Sequence, residues 1–96
     1  MSDQIPREIS GIGIRPAIHA EGFAIGQVFP GGPAEQAGLH EGDVVLEVNG
    51  EPTARWTLER AAQRLRGAPG TSVTLLAERE GERFEVRLSR RVVGVP

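Results

Sequence analysis

Cysteine and lysine are both missing from this sequence of 96 residues. Without cysteine the chain has no disulfide, no thiolate nucleophile and no cysteine metal ligand. Without lysine no lysine-based catalytic mechanism can operate within it, since all 11 basic side chains are arginine. Aromatic residues are scarce as well, with three phenylalanines, one tryptophan and no tyrosine, so we do not expect a stacking platform for single-stranded nucleic acid.

The charge and the hydrophobic pattern exclude further classes of protein. A net charge of −2 provides no basic footprint for nucleic acid, and no apolar run approaches the roughly 20 residues that cross a bilayer. His19 and His40 stand alone without cysteines, so we expect no metal site and no cofactor. No Gly-x-Ser-x-Gly motif marks a nucleophile. We therefore expect one globular domain without catalytic residues, without a nucleic-acid partner and without membrane insertion.

Glycine and proline divide the chain into short segments rich in β-branched and apolar residues. The dipeptides Asn49-Gly50 and Glu80-Gly81 are typical of tight turns between strands. Asp43 is expected to order the turn at Gly42. Together these signals predict a loop that runs into a strand over residues 9–18, and further strands over residues 23–29, 43–48, 72–79 and 83–89.

Two helices are also predicted. Pro33 favours a single helical turn over Ala34–Ala37, which Gly38 ends. Thr57 is a suitable N-cap for a longer helix, which ends at Gly67. That helix carries a solvated face with several arginines and, opposite to it, an apolar stripe made of Leu58, Ala61, Ala62 and Leu65.

The order of these elements predicts an α+β fold, because no alternating pattern of strands and helices is present. We expect a small, partly open β-barrel or sandwich of five to six strands, capped by two helices. Residues 1–8 are interpreted as an N-terminal arm, residues 9–91 as the domain and residues 92–96 as a C-terminal tail.

The segment Gly11-Ile-Gly-Ile14 alternates glycine with isoleucine. Backbone amides can converge on an anion only where no Cβ blocks the approach, which glycine permits. The isoleucines would then line an apolar hollow beside the anion. The same alternation is also typical of a plain tight turn, so the segment by itself leaves both interpretations open.

The succession of motifs resembles a bacterial PDZ domain. Gly11-Ile-Gly-Ile14 is followed by Gly-Gly-Pro-Ala-Glu-Gln-Ala-Gly38 and then by Leu39-His-Glu-Gly-Asp-Val-Val-Leu-Glu-Val-Asn-Gly50. The chain is most similar to the PDZ modules of carboxyl-terminal processing proteases, with those of high-temperature-requirement proteases as relatives. The resemblance covers residues 9 to about 89. It implies a circularly permuted fold, in which Arg83–Ser89 supplies the strand that opens animal PDZ domains.

The resemblance also implies the site residues. The loop Gly11–Ile14 would capture the last carboxylate of a peptide through the amides of Ile12, Gly13 and Ile14. The side chains of Ile12, Ile14 and Leu65 would enclose the last side chain of the ligand, and Ala62 would leave room. Leu58 would meet the third-last ligand residue and favour an apolar one. The alternative for Leu58 and Leu65 is a plain place in the core.

The strand after the loop departs from the family pattern at one position. Arg15 and Pro16 begin the segment that would pair with the ligand, and the resemblance implies an N–H donor at position 16. Proline has none, although edge strands tolerate it. One lost ladder hydrogen bond would weaken binding by roughly 0.5–1.5 kcal/mol. We therefore expect short ligands, bound weakly and mainly through their last residue.

These observations indicate a non-catalytic module that binds protein C-termini or unfolded segments. The resemblance implies a covalently linked protease domain elsewhere in a parent chain, for which the module selects or regulates substrates. It also implies a periplasmic or cell-envelope location for the parent, which the sequence itself does not determine. The alternative is an interdomain docking or scaffold module that captures no free peptide, and Pro16 favours it.

Overall fold

The computed structural model describes residues 8–96. Its strands are β1 (Glu8–Gly11), β2 (Ile14–His19), β3 (Gly22–Val28), β4 (Val44–Val48), β5 (Glu51–Pro52), β6 (Ser72–Arg79), β7 (Glu82–Ser89) and β8 (Arg91–Gly94). Its helices are α1 (Pro33–Gln36) and α2 (Leu58–Leu65). The α+β fold, with a mainly antiparallel sheet and two helices, is confirmed.

Six strands form one open antiparallel sheet in the order β2-β3-β4-β6-β7, with β5 paired to β4. The hairpin of β6 and β7 turns at Glu80 and Gly81, which both have positive φ angles, of 54° and 83°. Asn49 and Gly50 make the same kind of turn, with φ angles of 51° and 80°. Both predicted turns are confirmed. Asn49 and the two glycines adopt this conformation at little cost, whereas Glu80 does so against the usual preference of its side chain.

The core lies between this sheet and helix α2. Its buried centre is made by side chains of three strands, β3, β4 and β6, namely Phe23, Ile25, Val45 and Leu75. Ala61 and Leu65 close it from the helix, while Leu58 and Ala62 of the same apolar stripe are only half-buried. The stripe therefore serves two purposes, since part of it faces the core and part of it faces a groove.

The ends of the described chain form a second, two-stranded sheet. Strand β1 pairs with β8 in antiparallel register, from Glu8 opposite Gly94 to Gly11 opposite Arg91. Strand β8 was not predicted from the sequence, because no element was assigned to the tail 92–96. Four residues with one buried side chain, Val93, have too weak a hydrophobic pattern to indicate a strand. Most of the N-terminal arm, residues 1–7, lies outside the described residues. The predicted strand 83–89 falls within β7, at the edge of the main sheet beside β6.

An ion pair between buried Asp43, just before β4, and partly exposed Arg79 joins the start of β4 to the end of β6. Both carboxylate oxygens of Asp43 accept hydrogen bonds from Arg79, at 2.8 Å from Nε and 2.7 Å from Nη2. The N–H of His40 donates to Oδ2 at 2.8 Å, so Asp43 orders the turn at Gly42 as expected. Burial alone would raise the pKa of the Asp43 carboxyl, but the hydrogen bonds from Arg79 and His40 outweigh it and hold the pKa below 3.8.

This pair predicts an acid-sensitive contribution to stability. Asp43→Asn should lower the free energy of unfolding at pH 7 by about 1–3 kcal/mol, because charge-assisted bonds to a buried acceptor are lost. A carboxyl with a depressed pKa in the folded state stabilises above its unfolded pKa of about 4 and loses this effect as the pH falls through the folded value. Urea unfolding of the parent and of Asp43→Asn at pH 7 and near pH 2 measures the loss of stability and its dependence on pH.

The matched control is Glu21→Gln, which neutralises an exposed carboxylate in the turn between β2 and β3 and should change stability little at either pH. An Asp43→Asn deficit of equal size at both pH values would contradict this assignment.

Candidate functional site

A hollow of about 120 Å³ lies between helix α2 and the free edge of β2. Its size is similar to that of the ~150 Å³ engineered apolar cavity that accepts benzene. Eight of the nine residues that the sequence analysis selected line it, namely Gly11, Ile12, Gly13, Ile14, Arg15, Pro16, Ala62 and Leu65. Leu58 is the exception. The hollow thus has the dimensions for one apolar side chain.

The loop at the closed end of this hollow has its carbonyl groups tied to the protein. The Ile12 carbonyl accepts from the Ala34 N–H at 2.8 Å, and the Gly13 carbonyl accepts from the Phe29 N–H at 2.8 Å. The N–H groups of Ile12 and Gly13 donate to no backbone or side-chain acceptor among residues 8–96. The loop therefore offers donors, while its acceptors are already used.

The register of β2 adds a third outward N–H. Ile14 lies opposite Val28, and the bond from the Phe29 N–H to the Gly13 carbonyl flanks this pair. That bond identifies Ile14 and Val28 as a non-hydrogen-bonded pair of an antiparallel ladder. The N–H of Ile14 consequently points away from β3, toward the groove.

The two glycines of the loop have different reasons to be glycine. Gly13 has a φ of 80°, and a Cβ there would lie 3.3 Å from the Cα of Gly32. The backbone angle disfavours any side chain, and at this distance a Cβ would also require Gly32 to move by a few tenths of an ångström. Gly11 has no such angle, and a Cβ there would meet the Leu65 carbonyl at an ordinary 3.5 Å. Only Gly13 is required by the loop conformation itself.

Pro16 lies on the groove side of β2. Backbone groups alternate in direction along a strand, so residues 14, 16 and 18 face outward together. The register shifts between Arg15 and Pro16, and the extra residue, Gly26, is in β3, which leaves the alternation of β2 intact. A Cβ on Gly26 would crowd the Arg15 carbonyl at 3.2 Å. The edge that faces the groove therefore lacks one donor, at position 16.

Leu58 lies outside the hollow, although the sequence analysis grouped it with Ala62 and Leu65. It lines a separate depression at the other end of α2, together with Ile18 and Trp56. Leu65, by contrast, lines the hollow and also belongs to the core, where it is 5% exposed. Leu65 therefore has the place in the core that the alternative predicted, and its contact with a ligand stays a prediction.

Arg90 holds the end of the helix that forms the groove wall. Its Nε donates to the Leu65 carbonyl at 2.9 Å, and its Nη2 donates to the Arg64 carbonyl at 3.0 Å. Helix ends leave such carbonyls without partners, so the guanidinium fixes the helix terminus. Its Nη1 also donates to the Thr71 hydroxyl at 3.1 Å. The role of Arg90 was not predicted, because nothing near an arginine between two strands indicates that it contacts the end of a distant helix.

Four other lining residues were also missed, namely Ile9, Phe29, Arg66 and Val95. Arg66 and the predicted Arg15 both border the hollow, which therefore has two arginines at its edge. The Arg15 guanidinium lies 5.5 Å from the Phe29 ring centroid, an arrangement that favours a cation–π contact. The mouth of an apolar hollow therefore carries positive charge.

The arginine face of α2 is exposed as expected, but two of its members share one partner. Arg60 and Arg64 lie 3.3 and 2.6 Å from the carboxylate of Glu51. Exposed pairs of this kind contribute little to stability. Within residues 8–96 no group of three or more metal-ligating side chains is present, and neither helix there is long and apolar enough to cross a bilayer.

The close approach of Gly13 to Gly32 predicts a position-specific penalty. Gly38→Ala provides the matched control, because Gly38 also has a positive φ, of 84°, but has open space around it. Gly38→Ala should cost about 1–2 kcal/mol of unfolding free energy from the left-handed conformation alone. Gly13→Ala should cost clearly more in urea unfolding, since it also displaces Gly32. Equal losses for the two variants would show that the contact between the glycines is unimportant.

Comparison with known proteins identifies the family. Residues 2–78 match the model of the PDZ domain. The carboxy-terminal processing protease CtpB of Bacillus subtilis is 30% identical over 95 residues, which is 99% of this chain and 20% of that protein. A probable CtpA-like serine protease of Staphylococcus saprophyticus is 31% identical over 94 residues, 98% of this chain and 19% of that protein. The chain spans about a fifth of the length of these relatives.

Solved structures agree with the family match. The PDZ domain of the carboxy-terminal protease from Vibrio cholerae, determined in complex with peptide, has a TM-score of 0.80 at 26% identity and covers 92% of this chain and 99% of that one. The photosystem II D1 C-terminal processing protease shares the fold with a TM-score of 0.84 at 24% identity, over 92% of this chain and 24% of that one. The chain belongs to the PDZ domain family, and its relatives are carboxy-terminal processing proteases.

Proposed function

We propose that this PDZ domain binds peptides by their C-terminal carboxylate. The observation that supports it is the loop at the end of the hollow, where the N–H groups of Ile12 and Gly13 have no acceptor among residues 8–96. The N–H of Ile14 points the same way by register. Three such N–H donors beside an apolar hollow suit a ligand group that combines a negative charge with an apolar side chain. A terminal carboxylate with its own side chain is such a group.

The walls of the hollow favour an apolar last residue. Ile12, Ile14 and Leu65 are each at least 93% buried, and their side chains leave a volume for one further side chain. Ala62 is small and half-buried, so it does not close the groove. A polar side chain would lose its hydrogen bonds to water here without replacement. Arg15 and Arg66 at the rim would add electrostatic attraction for the carboxylate.

The free edge of β2 would extend the ligand as an added antiparallel strand. Pro16 removes one donor from this ladder, at the rung that a third-last ligand residue would use. The lost bond corresponds to roughly 0.5–1.5 kcal/mol, or up to about tenfold in affinity. We therefore infer that the last residue provides the main contact and that the third-last residue adds little.

We further infer that the domain selects or regulates substrates for a protease domain in a longer chain. This rests on the relatives, which are proteases about five times as long as this chain. The domain would contribute recognition, and the catalytic groups would lie elsewhere in such a chain. The second candidate function is a docking or scaffold module that captures no free peptide. The missing donor at Pro16 is the observation that favours it.

Paired peptides test carboxylate capture directly. A labelled peptide with an apolar last residue should lose at least about tenfold in affinity when its C-terminus is amidated, because the charge-assisted bonds to the loop are lost. Pro16→Ala should bind the free acid up to about tenfold more tightly, since a rung is restored. Fluorescence anisotropy measures both changes. Pro52→Ala, on the exposed strand β5, controls for the general effect of removing a proline and should leave binding unchanged.

Equal affinity for the free acid and the amide would overturn carboxylate capture and support the docking alternative. A Pro16→Ala variant that binds no more tightly than the parent would refute the proposed role of the missing donor.

A further inference from the structure

The far end of the groove contains an apolar depression that carboxylate capture does not use. It is lined by Ile18 of the edge strand and by Trp56 and Leu58 at the start of α2. Ile18 is 85% exposed, more than any other large hydrophobic residue in the described part of the chain. An exposed isoleucine facing an aromatic side chain across a cleft is more typical of a binding surface than of a packed one.

Trp56 is held in place as a wall of this depression. Its ring stacks on buried Phe23 with a centroid distance of 6.5 Å and an interplanar angle of 12°. The guanidinium groups of Arg60 and Arg64 lie 5.5 and 5.4 Å from its ring centroid. Glu51 ties both arginines together. A ligand side chain would therefore meet a preorganised surface and lose little of its binding energy to ordering the protein.

The spacing of the two hollows selects a ligand position. Ala62 and Leu65 line the first hollow and Leu58 the second, so four to seven residues of helix, or about 6–10.5 Å, separate the two hollows. In an added strand the side chains of the last, third-last and fifth-last residues point to the same face. At about 3.3 Å per residue, the third-last lies about 7 Å and the fifth-last about 13 Å from the last. The extension of the second depression beyond Leu58, to Trp56 and to Ile18, favours the fifth-last residue.

The backbone of β2 favours the same position. Residues 14 and 18 face outward, with the proline between them. His19 pairs with Gly22 at the end of the hairpin, which leaves Ile18 as the next outward rung after the gap at Pro16. A ligand strand would thus be bonded at its last residue, would keep only the bond to the Pro16 carbonyl at its third-last residue, and would be fully bonded again at its fifth-last.

We propose that the ligand carries a second large apolar side chain at the fifth-last position, seated between Ile18, Trp56 and Leu58. This inference rests on the proposed carboxylate capture, which defines the count from the C-terminus. It assigns Leu58 to the fifth-last residue instead of the third-last. The two apolar anchors, set four residues apart, would define the peptide class that the domain selects.

Seven-residue free-acid peptides with an apolar last residue test this assignment. Leucine at the fifth-last position should bind about five- to tenfold more tightly than serine there, because apolar surface is buried. The same exchange at the third-last position should change affinity by less than about twofold. In the variant Ile18→Ser, the preference at the fifth-last position should shrink to about twofold or less. Val92→Ser removes the other exposed large hydrophobic side chain, which is 52% exposed and lines neither hollow, and should retain the full preference.

The outcomes separate this inference from carboxylate capture. If the free acid is required but the preference lies at the third-last position, or at neither, the second anchor is refuted and carboxylate capture stands. If Ile18→Ser keeps the full preference, the depression is not the site. If amidation of the same peptides has no effect, carboxylate capture itself fails and the second anchor fails with it.

Discussion

The contact between Gly13 and Gly32 is the constraint on which the site depends. It brings the loop against the start of α1, where the Ala34 N–H binds the Ile12 carbonyl and the Phe29 N–H binds the Gly13 carbonyl. These two bonds use the acceptors of the loop and leave its donors uncommitted. A backbone normally presents donors and acceptors in equal number, so this one-sided arrangement is the basis of the proposed carboxylate capture in an otherwise apolar groove.

The groove walls are held by contacts far apart in the chain. Arg90, from the segment between β7 and β8, binds the last carbonyls of α2 and thereby fixes Leu65 opposite the loop. Gly67 makes room for the Arg90 side chain, because a Cβ at position 67 would lie 2.8 Å from the Cδ of Arg90. The opposite wall is the edge of β2 that faces away from β3, and there Pro16 removes one N–H donor, which also protects the edge against pairing with other strands. In the proposed mode of binding, a ligand would therefore be held more firmly at its last and fifth-last residues than at the residue opposite Pro16.

Much of this structure could be predicted from the sequence because its signals are local. Asn49-Gly50, Glu80-Gly81 and the Thr57 cap each act over a few residues, and the Thr57 hydroxyl does accept the Arg60 N–H at 3.0 Å. The family resemblance supplied the order of elements and the loop. Strand β8, the Arg90 contacts and the separation of Leu58 from Leu65 could not be predicted in this way. These features depend on which distant segments of the chain come into contact, and neither the spacing of residues nor their secondary-structure propensity indicates that.

Residue-resolved NMR tests carboxylate capture most directly. On addition of a free-acid peptide with an apolar last residue, the amide resonances of Ile12, Gly13 and Ile14 should move downfield and exchange more slowly with solvent, because each N–H gains a charged acceptor. The amidated peptide should leave these three resonances nearly unchanged. Equal shifts with both peptides, or shifts confined to other parts of the domain, would contradict the assignment of this loop as the carboxylate site.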